Sequence, residues 1–576
     1  MRHLPSPPRH VPSRARRPFA LGAFLAGGLL PGSAGAPVWP RATSALACPL
    51  PTLAAPAASE TGALAVRADS VAAATPTPSL PVPPEPTREF RAAWVSPVDR
   101  GEWPSRPGMT DAEQRAELTA LLDVAVRVGL NAIVLHMRPA ADALYPAPDA
   151  PWSTYLVGAS DAVPGYDPLA FAVGEAHRRG LQLHVWFNPF RAATPDRRGA
   201  VGARTLARTH PDWLVTYGSQ TWIDPGIPAA RRWVLDAVGD VVERYDIDGV
   251  HLDDYFYPYR ESRTRVSYVG RRKKRRRVVT TEEIAFADGA SWRRYGLAAG
   301  WEDRGDWRRG NVDVLVRSLY LETKARKPWV LVGISPFGIW RPNAAPGVTG
   351  LDAYREIYAD ARRWWRAGWV DYLAPQLYWT LAGEQRRFVR LDAWWRQENV
   401  QRRHLWPGLF TARVLPGGGW SDREIEAQVL QLRTVRTGSD ESLGHVHFRL
   451  AALRPERSAL GARLASSAYA APALPPASPW LGAAVPAAPA PAACDAAGLR
   501  VAAGDSVRVR WWFAQWRAWN GEWRQQLRPA SDTTPVPVTF GDGSPATHLA
   551  VRAVSASGVL GTPLVLPVVV DAAATR

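Results

Sequence analysis

The hydrophobic pattern of residues 88–465 repeats one unit eight times: a short apolar run, then a longer stretch of helical period. The runs are 90–97 ("FRAAWVSP"), 131–137 ("NAIVLHM"), 181–188 ("LQLHVWFN") and 247–254 ("IDGVHLDD") in the first half. In the second half they are 329–336 ("WVLVGISP"), 370–378 ("VDYLAPQLY"), 404–410 ("HLWPGLF") and 444–450 ("GHVHFRL"). Several are apolar on both alternating faces, as parallel strands covered on both sides must be. In 111–129, Leu118, Leu121, Leu122, Ala125 and Val128 share one helical face; in 229–245, Trp233, Val234, Ala237, Val238 and Val241 do. Eight strands alternating with helices predict an α/β fold, a (β/α)8 TIM-type barrel, with its chemistry at the C-terminal strand ends.

After residue 496 the period changes to short alternating strands ("SVRVRWWF", "VPVTF", "HLAVRAVSASG", "PLVLPVVV"). They predict a small all-β sandwich over 497–576, resembling a fibronectin type III module. Its tryptophans, Trp511, Trp512, Trp516, Trp519 and Trp523, read as core and edge packing ahead of a ligand platform. Residues 37–87 and 466–496, rich in Ala and Pro, read as linkers. The first 36 residues read as an export signal: "SRARRP", an apolar segment, then small residues near Ala34–Ala36. Lipid attachment at Cys48 is a second possibility, although Ala45 stands where a lipobox prefers Leu. The other cysteine is Cys494, and the two define no disulfide or metal framework.

Charge narrows the field. The 576 residues carry a formal +17, a value that raises the question of nucleic acid. Twelve of those charges lie in two local runs, five Arg in residues 1–18 and seven in "RRKKRRR" at 271–277; the rest of the chain carries +5. There is no basic face, and a nucleic-acid partner is not expected. The 271–277 run reads as a solvated loop insert, with contact to an anionic envelope surface as the next reading.

Polar residues gather at the predicted strand ends. Ser96 and Asp99 follow the first strand, Arg138 and Asp142 the second, Asn188 and Arg191 the third. His251, Asp253, Asp254 and Tyr255 end the fourth. The fifth leads to Trp340 and Arg341, and the sixth to Gln376, Tyr378 and Trp379. Two carboxylates flanking a glycosidic bond suffice for its hydrolysis, and aromatic, amide and guanidinium groups hold sugars. The rim has no Ser–His or Cys–His pair, no phosphate-cradling glycine loop and no metal-ligand spacing. No metal or cofactor is expected.

A series of motifs then carries a resemblance. "RAAWVSPV", "LHMRPAADALY", "APWSTYLVG", "PGYDPLAFAVGEAHRRGLQLHVWFNPFR", "IDPGIPAARRWVLDAV", "DGVHLDDYFYP", "GISPFGIWRP" and "YLAPQLYW" resemble the glycosyl hydrolase-like family 10 proteins over about residues 88–450. The resemblance implies a secreted bacterial (β/α)8 barrel associated with the cell wall. In at least one branch the substrate is peptidoglycan glycan stripped of its peptides. "DGVHLD" is also similar to the α-amylase fourth-strand pattern, which implies that Asp253 is the nucleophile, with His251 in place of an Arg.

The partner acid stays open at this stage. The amylase-like pattern would put a Glu after the fifth strand, and "GISPFGIW" has none. Asp254, Asp142 and acids of the 259–311 excursion, including Glu261 and Glu302, are the candidates. Asp224 in "IDPG" reads as a helix cap. Two functions follow: an exported glycoside hydrolase acting on cell-wall glycan, or a catalytically silent glycan-binding barrel that scaffolds the envelope.

Overall fold

The computed structural model describes residues 44–46, 80–98, 101–158, 162–194, 201–269, 275–437, 442–482, 484–495, 498–539 and 546–570. The expected export segment, Cys48, Asp99 and residues 271–274 of the basic run lie outside the described residues.

The eight apolar runs form eight parallel strands: Phe90–Val95, Ala132–Arg138, Gln182–Phe187, Gly249–Leu252, Leu331–Ile334, Tyr372–Leu373, the pair His404–Leu405 and Gly408–Leu409, and Gly444–His447. Each pairs with its neighbour in chain order. The seventh strand is interrupted at Trp406 and Pro407. Its first half pairs with the sixth strand and its second half with the eighth. The eighth pairs with the first, Val446 opposite Ala92, and the ring closes.

A helix follows each strand. Asp111–Val128 begins with a capping box in which Thr110 accepts from the Glu113 amide and Glu113 accepts from the Thr110 amide at 2.8 Å. It ends at Gly129 in the left-handed region, φ 92°. Pro168–Arg178 starts with Pro at its first position, and Asp167 accepts from the Leu169 and Ala170 amides. Pro228–Arg244 and Arg304–Arg326 pack side by side on the outside. Asp224 is not the cap expected of it. It accepts from the Gly226 amide at 2.8 Å and the Ser291 hydroxyl at 2.5 Å, and so pins the turn before the helix to a later segment.

The lumen is filled by aromatic rings set against glycines. A Cβ on Gly333 would lie 1.9 Å from the Tyr372 ring, and one on Gly444 would lie 2.4 Å from Trp406. Phe90 stacks on Trp406 at 3.9 Å. Such a lumen is a packed core and not a pore.

Two boundaries differ from the compositional reading. Residues 466–482 of the expected 466–496 linker are a strap across the barrel base instead of a spacer. Tyr469 is buried and its hydroxyl bonds His447 Nε2 at 2.7 Å. Ala473–Leu474 pairs with Thr87–Arg88, and Trp480 donates to Asp371 at 2.8 Å. Pro and Ala dominate the composition, but a few large anchors decide where the chain lies. The all-β module begins earlier than 497, because Ala490–Asp495 pairs with Gly498–Ala502.

In the module's main sheet, the strands Val509–Arg517, Trp523–Pro529, His548–Ser555 and Leu564–Val570 pair antiparallel. Trp511, Trp512 and Trp516 are buried; Trp519 is 87% exposed. The module is docked on the barrel: Arg510 donates to Asp248 at 3.0 Å and Asp246 at 2.5 Å, and Arg552 to Glu85 at 2.5 Å.

Candidate active site

The fourth strand ends at Leu252, so Asp253 and Asp254 stand at the C-terminal mouth of the barrel. Both are buried. Asp253 follows His251 on the inward face and accepts from Asn188 Nδ2 at 3.1 Å and from the Tyr255 amide at 3.2 Å. Asp254 accepts from the Tyr259 hydroxyl, and the Gln376 amide also reaches it.

The two carboxyls titrate as a pair. Burial raises both above the usual carboxylate range. The neighbouring Asp254 adds to the rise of Asp253, which is pushed up to about 7 in spite of Arg191 nearby. Like charges this close do not both ionise readily, so burial and mutual repulsion oppose double ionisation of the pair. The donors on Asp254 work against that rise and favour its charged form.

A three-stranded excursion after the third strand supplies Arg191. Arg191–Ala193 pairs with Gln220–Ile223, which pairs with Leu214–Tyr217. The Arg191 guanidinium lies 4.1 Å over the Tyr255 ring. Several buried polar atoms beside the pair have no protein partner: Asn188 Oδ1, Arg191 Nε, Trp186 Nε1 and His136 Nε2. Buried polar groups ordinarily find partners.

Half-buried aromatics ring this mouth. Tyr259 meets Phe337 at 6.3 Å, and Phe337 meets Trp379 at 6.1 Å. Tyr378 packs on Phe410 at 4.6 Å and Phe448 at 5.7 Å. The carboxyls of Asp253 and Asp254 help to hold the Tyr378 phenol above its usual range, behind the larger effect of burial.

Asp253, Asp254, Asn188, Arg191, Tyr255, Gln376, Tyr378 and Trp379 thus meet at one mouth. The other candidates lie elsewhere. Arg138 is locked in a bidentate pair with Asp149, 2.7 and 3.2 Å, and stacks over Trp233 of an outer helix. A register shift between His136 and Arg138 turns it away from the lumen. Asp142 bonds Ser153 in the loop beyond the second strand, and burial pushes it up to about 6. Trp340 donates to Asp360 at 2.9 Å and stacks on Trp394, and Arg341 lies over Trp340 and beside Asp352. Both brace outer helices.

His251 is fully buried one layer below the pair. It accepts from Trp94 Nε1 at 3.1 Å and meets the Tyr372 hydroxyl at 2.9 Å. Burial keeps it neutral. It joins Trp94, Tyr372 and Ser335 in the floor beneath the pair. Glu261 binds the Ser219 amide at 3.3 Å, and Glu302 is exposed.

Sequence reading missed Tyr259, Phe337, His136 and Trp186. Tyr259 carried a signal, since "DDYFYPY" places a third tyrosine five residues after Asp254. Among the described residues no group of three or more His, Cys, Asp or Glu could hold a metal ion.

A closed eight-stranded barrel with buried carboxyls and aromatics at its C-terminal mouth is a glycosidase-type architecture. The glycosyl hydrolase-like 10 family model matches residues 89–417, and the chain belongs to that family. It is 38% identical to glycosyl hydrolase YngK of Bacillus subtilis (strain 168) over 404 residues, covering 68% of this chain and 74% of that protein. It is 33% identical to glycosyl hydrolase DigH of Escherichia coli (strain K12) over 351 residues, 56% of this chain and 75% of that protein. Among solved structures, the glycoside hydrolase domain of PgaB (BpsB) from Bordetella bronchiseptica aligns with 65% of this chain and 98% of that one. The TM-score is 0.42 at 14% identity.

Proposed function

We propose that the protein is an exported glycoside hydrolase that cleaves cell-wall glycan, with peptide-free peptidoglycan strands as substrate. The observation that carries the reading is the buried pair Asp253 and Asp254 at the barrel mouth, set beside Arg191 and the unpartnered amide oxygen of Asn188. Membership of the glycosyl hydrolase-like family supports the reaction class. The Arg-rich and apolar N-terminus supports export.

Asp253 holds a proton near neutrality and gives it to the glycosidic oxygen as the bond to the anomeric carbon breaks. Asp254, kept anionic by Tyr259 and Gln376, attacks that carbon or takes the proton of the attacking water. This reverses the division implied by the amylase pattern, which would make Asp253 the nucleophile. Arg191 and the unpartnered amide oxygen of Asn188 hold hydroxyls, and Phe337, Tyr378 and Trp379 offer ring faces. A scaffold barrel would have no use for two adjacent buried carboxyls at its mouth.

Release of new reducing ends from peptide-free strands tests the reaction. Aryl glycosides with good leaving groups test the roles. Asp253→Asn should keep turnover on such substrates, which need no acid, whereas Asp254→Asn should lose it. The opposite outcome would restore Asp253 as nucleophile. No new ends with wild-type protein would favour the silent scaffold.

A further inference from the structure

Arg276 and Arg277 of the basic run belong to an element that the barrel does not need. Ser262–Val269 and Arg276–Glu283 form a two-stranded antiparallel ribbon, Ser262 opposite Glu283 and Val269 opposite Arg276. Almost every residue on both faces is exposed. Two-stranded ribbons are marginal on their own, and this one covers no core. At eight residues per strand it reaches about 25 Å.

Its root is the active-site loop. Residues 255–261 join the carboxylate pair to the ribbon, and Tyr259 within them donates to Asp254. Arg260 pairs with Glu283 at 3.2 Å and Glu356 at 3.6 Å, and the Glu261 amide donates to the Tyr217 hydroxyl at 3.0 Å. The ribbon thus springs from the mouth itself.

Its charge is graded. The two acids, Glu282 and Glu283, lie at the root. Beyond them every charged residue is basic: Arg263, Arg265, Arg275, Arg276 and Arg277 among the described residues, and four more by sequence at 271–274. Tyr268, 63% exposed, stands opposite Arg277 and shares a face with Val266 and Val279. An exposed ring beside a guanidinium, on a face that continues through Val266 and Val279 to Thr264 and Thr281, suits a sugar ring that carries an acid group.

We propose that this ribbon is an outlying part of the substrate site. It grips a carboxylate-bearing glycan chain where the chain leaves the barrel mouth, with the arginines on the acid groups and Tyr268 on a ring face. The inference rests on the glycan reading above and names the acidic character of the polymer as what the ribbon selects. A bilayer is the less favoured occupant, because the outer half of the ribbon is basic and its apolar side chains are hemmed by hydroxyls and charges.

The test uses the full chain and fluorescently labelled peptide-free glycan strands, whose binding is read without turnover. The variant replaces Arg263, Arg265, Arg275, Arg276 and Arg277 with Gln; a second is Tyr268→Ala. Five exposed ion contacts predict about a tenfold rise in Kd at low salt for the Gln variant. Wild-type binding should weaken as salt rises. Strands with their carboxyls chemically reduced should bind wild type and the Gln variant alike, and Tyr268→Ala should weaken both kinds of strand. Hydrolysis of a short neutral oligosaccharide should not change.

Equal Kd values for wild type and the Gln variant on acidic strands would overturn the proposal. So would a difference seen only on phosphatidylglycerol vesicles, which would make the ribbon a membrane contact. If wild type binds acidic strands through these residues but releases no reducing ends, the hydrolase reading fails and the glycan-gripping ribbon stands.

Discussion

The fourth barrel strand has a buried aspartate at each end, and the two are treated in opposite ways. Asp248, just before Gly249, is at the base. It meets Arg510 at 3.0 Å, His177 at 3.0 Å and the Leu183 amide at 2.8 Å. Burial alone would raise it, but Arg510 and His177 outweigh that and hold it well below the usual carboxylate range. Asp253, just after Leu252, has an amide, a backbone N–H and another carboxylate for company, and is pushed up to about 7. One strand thus carries a carboxylate whose charge is favoured and a carboxyl whose charge is opposed. The difference is made by partners, because both groups are buried.

The linked pH behaviour is opposite as well. Asp253 holds its proton more tightly folded than unfolded. Stability therefore falls as pH rises from about 4 to about 7, and the loss is complete above that. Asp248 is depressed when folded. Its contribution is present above about pH 4 and is lost as pH falls below that value.

The largest effect is expected at the mouth. Asp253→Asn should lower turnover on glycan strands by about a thousandfold or more, since it removes the acid. Turnover within a few-fold of wild type in a reducing-end assay would erase the contrast between the two ends. The wild-type alkaline limb should lie near pH 7, where Asp253 loses its proton.

At the base, Arg510→Ala should destabilise by about 3 kcal/mol, because it leaves a buried carboxylate short of its cation. Urea unfolding at pH 7 reads this, and the difference should shrink below about pH 4. The docked strap and module also predict that removing residues 497–576 costs barrel stability, since Arg510 and Arg508 go with them. A truncated chain with an unchanged unfolding midpoint would show that this end of the strand is not held from outside.

A smaller effect sharpens the comparison through stability alone. Asp253→Asn should stabilise the fold by about 2 kcal/mol at pH 8, and the gain should vanish near pH 4. Thermal unfolding at the two pH values checks it. The smallest change is Tyr259→Phe. Loss of one donor to Asp254 should lower kcat about tenfold and move the acid limb upward, with KM nearly unchanged.

Much of this was legible in the chain. Seven of the eight strands fall within the apolar runs and the second passes its run by one residue, Arg138, because strands buried on both faces leave a continuous apolar signature. The helices Asp111–Val128 and Pro228–Arg244 follow from spacing and end within a residue of the periodic segments. The aspartate pair was legible because two adjacent acids at the end of an apolar strand have no structural reason to be there. Arg138 was misread because strand-end position does not say which way a side chain turns, and one register shift sent it outward.

Local pattern, then, determined the order of the elements, the barrel class and the pair Asp253–Asp254, since periodicity and strand ends are properties of neighbours in sequence. Tertiary structure alone decided what each acid does. Asp248 and Asp253 differ because Arg510, 262 residues away, bonds the carboxylate at one end of the strand, whereas the other end has Asn188 and the Tyr255 amide as donors and Asp254 as a like-charged neighbour. The strap at 466–482 and the ribbon rooted at the mouth were settled the same way, by a few anchors such as Tyr469, Trp480 and Tyr259, whose partners lie elsewhere in the fold.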